Sequence, residues 1–135
     1  MGKSRLAKTE LLLFGLLALH TLDHAVNQPS RTLPAGSGVI GIAGFALVAV
    51  AIVFALERWP LAAPVGLLAG VGTFLGFVVV HMPGIGPLAD PFADFHPNAL
   101  SWILLFAPMA ASLLVAWVAV EGLQAERPVA SPSQR

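Results

Sequence analysis

Histidine and aspartate are the residues of this chain whose types and spacing could do chemistry. The densest set is His20-x-x-Asp23-His24, and His81 and His96 follow further along the chain. Residues three and four positions apart lie on one face of a helix, so His20, Asp23 and His24 are expected to form one polar patch. Two histidines at positions i and i+4 can chelate one metal ion, because both imidazoles reach the same point.

These residues together are predicted to be a metal site formed by His20, Asp23, His24, His81 and His96. Asp23 is expected to be either a ligand or a hydrogen-bond acceptor that fixes a ring tautomer. The chain has no cysteine, which excludes zinc-thiolate sites and iron–sulfur clusters. Nitrogen and oxygen donors suit zinc, iron, manganese, nickel or copper(II). Haem b held between two histidine-bearing helices is the alternative cofactor.

The same residues also allow a purely structural interpretation. Asp23 could pair with Arg31 in a buried network of ion pairs and hydrogen bonds. Asp90 and Asn98 are typical of helix N-caps, whose role is to stabilise the start of a helix rather than to bind a ligand. Proton handling by the histidines is a further alternative. Neither G-x-S-x-G nor H-E-x-x-H occurs in the sequence, so no motif names a reaction.

Most of the chain is apolar. Hydrophobic residues make up 57% of its 135 residues and charged residues only 10%, whereas soluble domains carry about 25% charged residues. A chain this short cannot hide so much apolar surface in a soluble core, so the lipid bilayer is expected to be its solvent. The net charge is zero, so no basic surface for nucleic acid is predicted.

Four apolar runs are long enough to cross a bilayer, which takes roughly 20 residues. The predicted spans cover about residues 9–26, 38–56, 61–81 and 99–120. They form one transmembrane domain over residues 1–123, and residues 124–135 are predicted to be a disordered cytoplasmic tail. The predicted fold class is therefore an all-α integral membrane protein with an antiparallel bundle of four transmembrane helices.

The first span reaches full length only if its helix continues through His20 and His24. Its basic start and short apolar run also resemble a secretory signal peptide, which would be cleaved. The small-x-small cleavage site expected of such a peptide is absent, so we expect the helix to be retained.

Lysine and arginine predict the orientation. Six of the seven lie on one side of the predicted spans, namely Lys3, Arg5, Lys8, Arg58, Arg127 and Arg135. Arg31 alone lies on the other side. The positive-inside rule then places both termini in the cytoplasm and the histidine-rich pole at the outer side of the cell membrane.

Glycines in the third span follow a small-x-x-x-small spacing, with Gly66 and Gly70 as one pair and Gly72 and Gly76 as another. Small residues let membrane helices approach closely. The connection over residues 57–60 is short, so the third span is predicted to pack closely against the second.

The expected function is that of a small integral membrane protein whose His/Asp-rich outer pole binds a divalent metal ion. One alternative is a structural or accessory membrane subunit with a polar network at that pole. Another is a membrane oxidoreductase or hydrolase that uses the same residues, and an apolar cavity beside His20 and His81 would favour it. The expected partners are the lipid bilayer and either another membrane protein or a second copy of the chain.

Overall fold

Four helices make up the structure, which is a computed structural model that describes residues 2–27, 37–82 and 97–126. They are α1 (Gly2–Asn27), α2 (Ser37–Leu56), α3 (Ala62–His81) and α4 (Ala99–Ala125). No β-strand occurs in the described ranges. By length and composition, each helix could cross a membrane. The predicted set of four long apolar helices is therefore confirmed.

Two of the helices extend beyond the predicted apolar spans. α1 begins at Gly2 rather than near residue 9, and α4 continues to Ala125 rather than ending near residue 120. The additional turns contact each other through charged groups, since Arg5 Nη1 donates to Glu121 Oε2 at 2.9 Å. A helix does not have to end where its apolar run ends, provided that its polar side chains find partners or water.

The helices are arranged around a shared centre. α1 packs against α2 and α4, and α3 packs against the same two helices. α1 and α3 face each other across the centre, where they make fewer contacts. This arrangement brings the last turns of α1 and α3 to the same end of the bundle, because His20 of α1 contacts His81 of α3. We call this the histidine end.

The inward faces of α1 and α3 follow a spacing of three and four residues, the pattern of a helix with one face turned to a core. On α1 the buried face includes Leu6, Glu10, Leu13, Leu17 and His20. On α3 it includes Gly66, Gly70, Thr73, Phe77 and Val80. Each stripe therefore combines core packing with one or two polar groups.

The outer surface of the bundle is apolar, and α2 is its most exposed helix. Only 17% of the α2 span is buried, against 44% of the α4 span. Ile42 of α2 is 73% exposed, and large apolar side chains are also exposed on the other three helices. Soluble monomers rarely expose continuous apolar patches of this kind. The surface suits lipid rather than water.

A Schellman motif ends α2 and sets the short connection to α3. The Trp59 N–H donates to the Phe54 carbonyl at 3.0 Å, and the Arg58 N–H donates to the Ala55 carbonyl at 3.3 Å. Arg58 has a φ of 56°, the left-handed conformation that this motif requires at that position. The rings of Phe54 and Trp59 lie 4.6 Å apart, measured between centroids, and supply the apolar contact that accompanies the motif.

Glycine sets the closest helix contact, which joins α3 to α4 rather than to α2. A Cβ at Gly70 would lie 2.6 Å from the Ser112 carbonyl oxygen and 2.7 Å from the Ala116 backbone nitrogen. The two backbones therefore come closer than a larger residue at position 70 would allow. Gly72 and Gly76 face α2 at ordinary van der Waals distance, so α3 does pack on α2, but less tightly.

We expect Gly70→Ala to lower the free energy of unfolding by about 1–3 kcal/mol, because the added methyl group must push α3 and α4 apart. Gly15→Ala on the exposed face of α1 is the matched control, since a Cβ there meets nothing within 4 Å. Alanine should stabilise that helix position by about 0.5–1 kcal/mol. Thermal unfolding of both variants in detergent measures the difference, and a Gly70→Ala variant as stable as the control would contradict the close approach.

Candidate metal centre

Two histidines one helical turn apart on α1 lie against the end of α3. His20 and His24 are four residues apart, so their side chains share one face of α1. His81 is the last residue of α3. His20 is only 5% exposed, whereas His24 and His81 are partly buried. The cluster is therefore closed toward the bundle interior and more open at the histidine end.

The three imidazoles converge through the same ring nitrogen. The Nε2 atom of His20 lies 2.9 Å from Nε2 of His24 and 3.3 Å from Nε2 of His81. The ring of His20 meets the other two edge-on, with centroids 4.4 Å and 5.2 Å away. One ligand atom from each histidine lies within 4.8 Å of the other two. The three side chains thus form a group that could hold a metal ion.

A metal ion can join the three converging Nε2 atoms more fully than hydrogen bonds between the imidazoles can. An imidazole nitrogen carries either one proton or one lone pair, so Nε2 of His20 can make one well-aligned hydrogen bond and not two. A metal ion accepts all three lone pairs at once. Metal–nitrogen bonds of about 2.0–2.1 Å separate two ligand atoms by about 3.3 Å at the tetrahedral angle and about 2.9 Å at a right angle. The separations of 3.3 Å and 2.9 Å from His20 Nε2 fall within the range that these two angles span.

Phe77 closes the inner side of the cluster. It lies one turn before His81 on α3, and its ring centroid is 5.0 Å from that of His20 and 5.4 Å from that of His81. Phe77 is buried. The aromatic ring restrains the orientation of both imidazoles and makes their surroundings apolar on that side.

Asp23 lies on a different side of α1, against α4. Ser101 Oγ donates to Asp23 Oδ1 at 3.1 Å, and Asn27 Nδ2 donates to the same oxygen. A residue at i+3 is rotated by about 60° around the helix from residue i, so Asp23 turns toward α4 while His20 turns toward α3. The single patch expected from the spacing is therefore divided into a histidine group and a separate aspartate site.

Asn98 caps α4 beside this aspartate. Its Oδ1 accepts a hydrogen bond from the Ser101 backbone N–H at 2.9 Å, which confirms the cap predicted at this position. The Ser101 hydroxyl lies within hydrogen-bond distance of both Asn98 Oδ1 and Asp23 Oδ1. The start of α4 is thereby connected to the last turn of α1.

Three residues of the site hypotheses lie outside the described residues, namely Arg31, Asp90 and His96, and so do residues 127–135 of the predicted tail. The predicted role of His96 as a ligand, the Asp23–Arg31 pair and the cap at Asp90 therefore stay predictions.

An apolar cavity opens beside the histidines. It has a volume of about 790 Å³ and lies between α1, α2 and α3, with His20 and His81 on its wall. The described residues that line it include no aspartate, glutamate, lysine or arginine. Gly38, Gly41 and Gly44 form part of the α2 wall. An apolar cavity at this place is the feature that was expected to favour an enzymatic function, that of a membrane oxidoreductase or hydrolase.

Two polar side chains outside the predicted site are buried without a hydrogen-bond partner among the described residues. Neither carboxylate oxygen of Glu10 on α1 has a hydrogen-bond partner among the described residues, and the same is true of the Thr73 hydroxyl on α3. Both residues lie on the inward stripes of their helices. The spacing of three and four residues that predicts burial of Leu13 and Leu17 therefore predicts burial of Glu10 as well.

Replacing Glu10 with methionine should raise the free energy of unfolding by about 1–3 kcal/mol, because a buried polar group without a partner is costly. Glu121→Met is the control, since Glu121 is exposed and loses only an ion pair with Arg5 and a hydrogen bond from Trp117 Nε1, each of which contributes about 1 kcal/mol at most. Both variants can be compared with the wild type by thermal unfolding in detergent. A destabilised Glu10→Met variant would mean that this carboxyl group has a stabilising partner.

Comparison of the chain with protein families, with curated proteins and with solved structures finds no match. The histidine group and the cavity beside it are therefore the features that indicate a function.

Proposed function

We propose that this chain is a small integral membrane protein that binds one divalent transition-metal ion through the Nε2 atoms of His20, His24 and His81. The observation that carries the proposal is the convergence of these atoms, at 2.9 Å and 3.3 Å from His20 Nε2. Three neutral imidazoles are a donor set that transition metals bind. Three protein ligands also leave a coordination position open to another molecule, as catalytic zinc sites do.

In this proposal the four helices cross the cell membrane as an antiparallel bundle. The support is the length and apolarity of each helix, together with the placement of six of the seven lysines and arginines on one side of the spans. Both termini then lie in the cytoplasm, and the histidine end lies at the outer face. An ionisable cluster at membrane depth is costly, and such residues usually serve a function.

The donor set favours a bare metal ion over haem b. Two axial imidazoles bind opposite faces of a haem iron, so their nitrogens are about 4 Å apart with the macrocycle between them. The Nε2 atoms of His20 and His81 are 3.3 Å apart, and the His24 imidazole lies beside them, which leaves no room for a macrocycle. Zinc, iron, manganese, nickel and copper(II) all accept three imidazole nitrogens.

The cavity supports a metal centre that other molecules can reach. It argues against a purely structural subunit. A structural network of histidines would gain nothing from an apolar space of about 790 Å³ against its side. A metal ion with an open coordination position would gain access to a ligand or substrate. A membrane oxidoreductase or hydrolase is therefore the second candidate function, and the position of the cavity is the observation that favours it.

Protein purified in detergent and dialysed against Zn²⁺ or Co²⁺ should contain about one ion per chain. His20→Ala, His24→Ala and His81→Ala should each reduce the content to near zero, because two imidazoles hold a divalent ion far more weakly than three. Inductively coupled plasma mass spectrometry measures the content, and circular dichroism checks that the helices are retained. Binding should also weaken below about pH 6.5, where imidazole takes up a proton.

Asp23→Asn is the matched control for these variants, because Asp23 bonds to Ser101 and Asn27 rather than to the histidines. It should retain the metal. His96→Ala measures whether His96, the predicted ligand that precedes α4 in the sequence, contributes to binding. A metal content that does not change in any of the three histidine variants would contradict the proposal and leave the structural network as the explanation.

The orientation can be tested with introduced cysteines, since the chain has none of its own. Cysteines at Ser37 and Pro87 should react with a membrane-impermeant maleimide in intact cells, because both positions lie on the side that carries a single basic residue. A cysteine at Ser131 should react only after the cells are opened. The reverse labelling pattern would overturn the orientation.

A further inference from the structure

The cavity beside the histidines is mostly apolar, and its polar lining comes from the histidine group, from Thr73 and from Thr21, whose hydroxyl donates to the Leu17 carbonyl. The histidine group lies at one end, and Thr73 lies two turns before His81 on α3, about 12 Å away along the helix axis. Both line the same cavity. Thr73 is only 5% exposed, and its hydroxyl has no hydrogen-bond partner among the described residues. A buried hydroxyl in that position is stabilised if a ligand supplies the missing partner.

The α2 wall of this cavity combines large apolar side chains with three glycines that leave space between them. A Cβ added at Gly38, Gly41 or Gly44 would meet nothing within 4 Å. These glycines therefore do not serve helix packing among the described residues, unlike Gly70 of α3. The volume of about 790 Å³ lies within the range of about 300–1,000 Å³ that is typical of small-molecule sites.

Charge balance indicates the chemistry of the occupant's head group. Three neutral imidazoles around a divalent ion leave two positive charges, and no acidic residue occurs among the described residues that line the cavity. Asp23 is directed toward α4 and Ser101 instead. An uncompensated charge beside apolar walls is costly, so an anionic oxygen donor from a ligand would offset part of that charge and fill the fourth coordination position.

We propose that the cavity binds a single-chain lipid acid whose carboxylate occupies the open coordination position of the metal. Its hydrocarbon chain lies along Gly41 and Gly44, and an oxygen further down the chain accepts a hydrogen bond from Thr73. The bilayer is the source of the ligand, because exposed apolar residues such as Ile42 border the cavity. This inference rests on the proposed metal centre and names the class of molecule that reaches it.

The test uses full-length protein in phosphatidylcholine nanodiscs, loaded with Co²⁺, and two radiolabelled probes, dodecanoate and 12-hydroxydodecanoate. Wild-type protein should retain about one probe per chain above the amount that partitions into empty nanodiscs. The visible absorption bands of bound Co²⁺ should change when either probe is added, because an oxygen ligand enters the coordination sphere. Dodecanoate methyl ester, which lacks the anionic head, should change neither signal.

Gly44→Leu should reduce probe binding by about tenfold or more, because the leucine side chain occupies space that the hydrocarbon chain needs. It should retain Co²⁺, which also shows that the variant is folded. Gly15→Leu is the matched control, because a Cβ at Gly15 likewise meets nothing within 4 Å but the residue lies outside the cavity lining. It should bind the probes and the metal as the wild type does.

Thr73→Val should weaken 12-hydroxydodecanoate binding by about threefold to tenfold and leave dodecanoate binding unchanged, because only the former can bond to the threonine hydroxyl. Equal loss for both probes would overturn the assigned role of Thr73.

The lipid inference and the metal proposal fail in different ways. Loss of Co²⁺ binding in the wild type would overturn both. Histidine-dependent Co²⁺ binding without probe binding above the empty nanodiscs would overturn the lipid inference alone. Probe binding that is undiminished in His24→Ala, which lacks the metal, would overturn the coordination of the carboxylate.

Discussion

The meeting of three imidazoles between α1 and α3 is the interaction on which the rest of the account depends. Nitrogen atoms that are brought into an apolar bundle lose their hydrogen bonds to water, and each polar group left without a partner costs about 1–3 kcal/mol. His20 is buried, and its Nε2 atom faces two other ring nitrogens at once. The proposed divalent metal ion would bind all three atoms together, and it would join α1 and α3, which pack less closely against each other than against α2 and α4.

Glycine has opposite effects in two parts of the bundle, and the cavity is the result. At Gly70 the missing side chain lets α3 approach the α4 backbone, with 2.6 Å between a hypothetical Cβ and the Ser112 carbonyl oxygen. At Gly41 and Gly44 the missing side chains face open space. Close packing on the α4 side and loose packing on the α2 side leave a volume of about 790 Å³ next to the histidines. The site can therefore be reached from the apolar side.

Much of the architecture follows from local sequence properties. Four apolar runs of sufficient length predict four helices, and the cap at Asn98 follows from its short polar side chain before an apolar run. The pairing of His20 with His24 follows from helix periodicity alone. Their convergence with His81 was a hypothesis based on similar depth in the bundle, and the arrangement of α1 and α3 supports it.

Other features depend on how each helix is rotated about its axis and on which helices are its neighbours. The periodicity of the sequence defines neither. The 60° rotation between positions i and i+3 directs Asp23 to α4, and this matters only because Ser101 is there to meet it. Whether Gly70 faces α2 or α4 depends on how α3 is rotated within the bundle. The burial of Glu10 follows from its place on the same face of α1 as Leu6, Leu13 and Leu17. In the sequence, however, Glu10 lies near the start of the predicted span 9–26, where a charged side chain is more simply taken to be exposed to water.

X-ray absorption spectroscopy at the metal edge tests whether His20, His24 and His81 bind one metal ion together. The zinc- or cobalt-loaded protein should show three nitrogen neighbours at about 2.0–2.1 Å, with the outer-shell scattering that is typical of imidazole rings. This imidazole signal should be lost in His20→Ala. A first shell of oxygen atoms alone, or a spectrum equal to that of the hydrated ion, would contradict a metal centre formed by His20, His24 and His81.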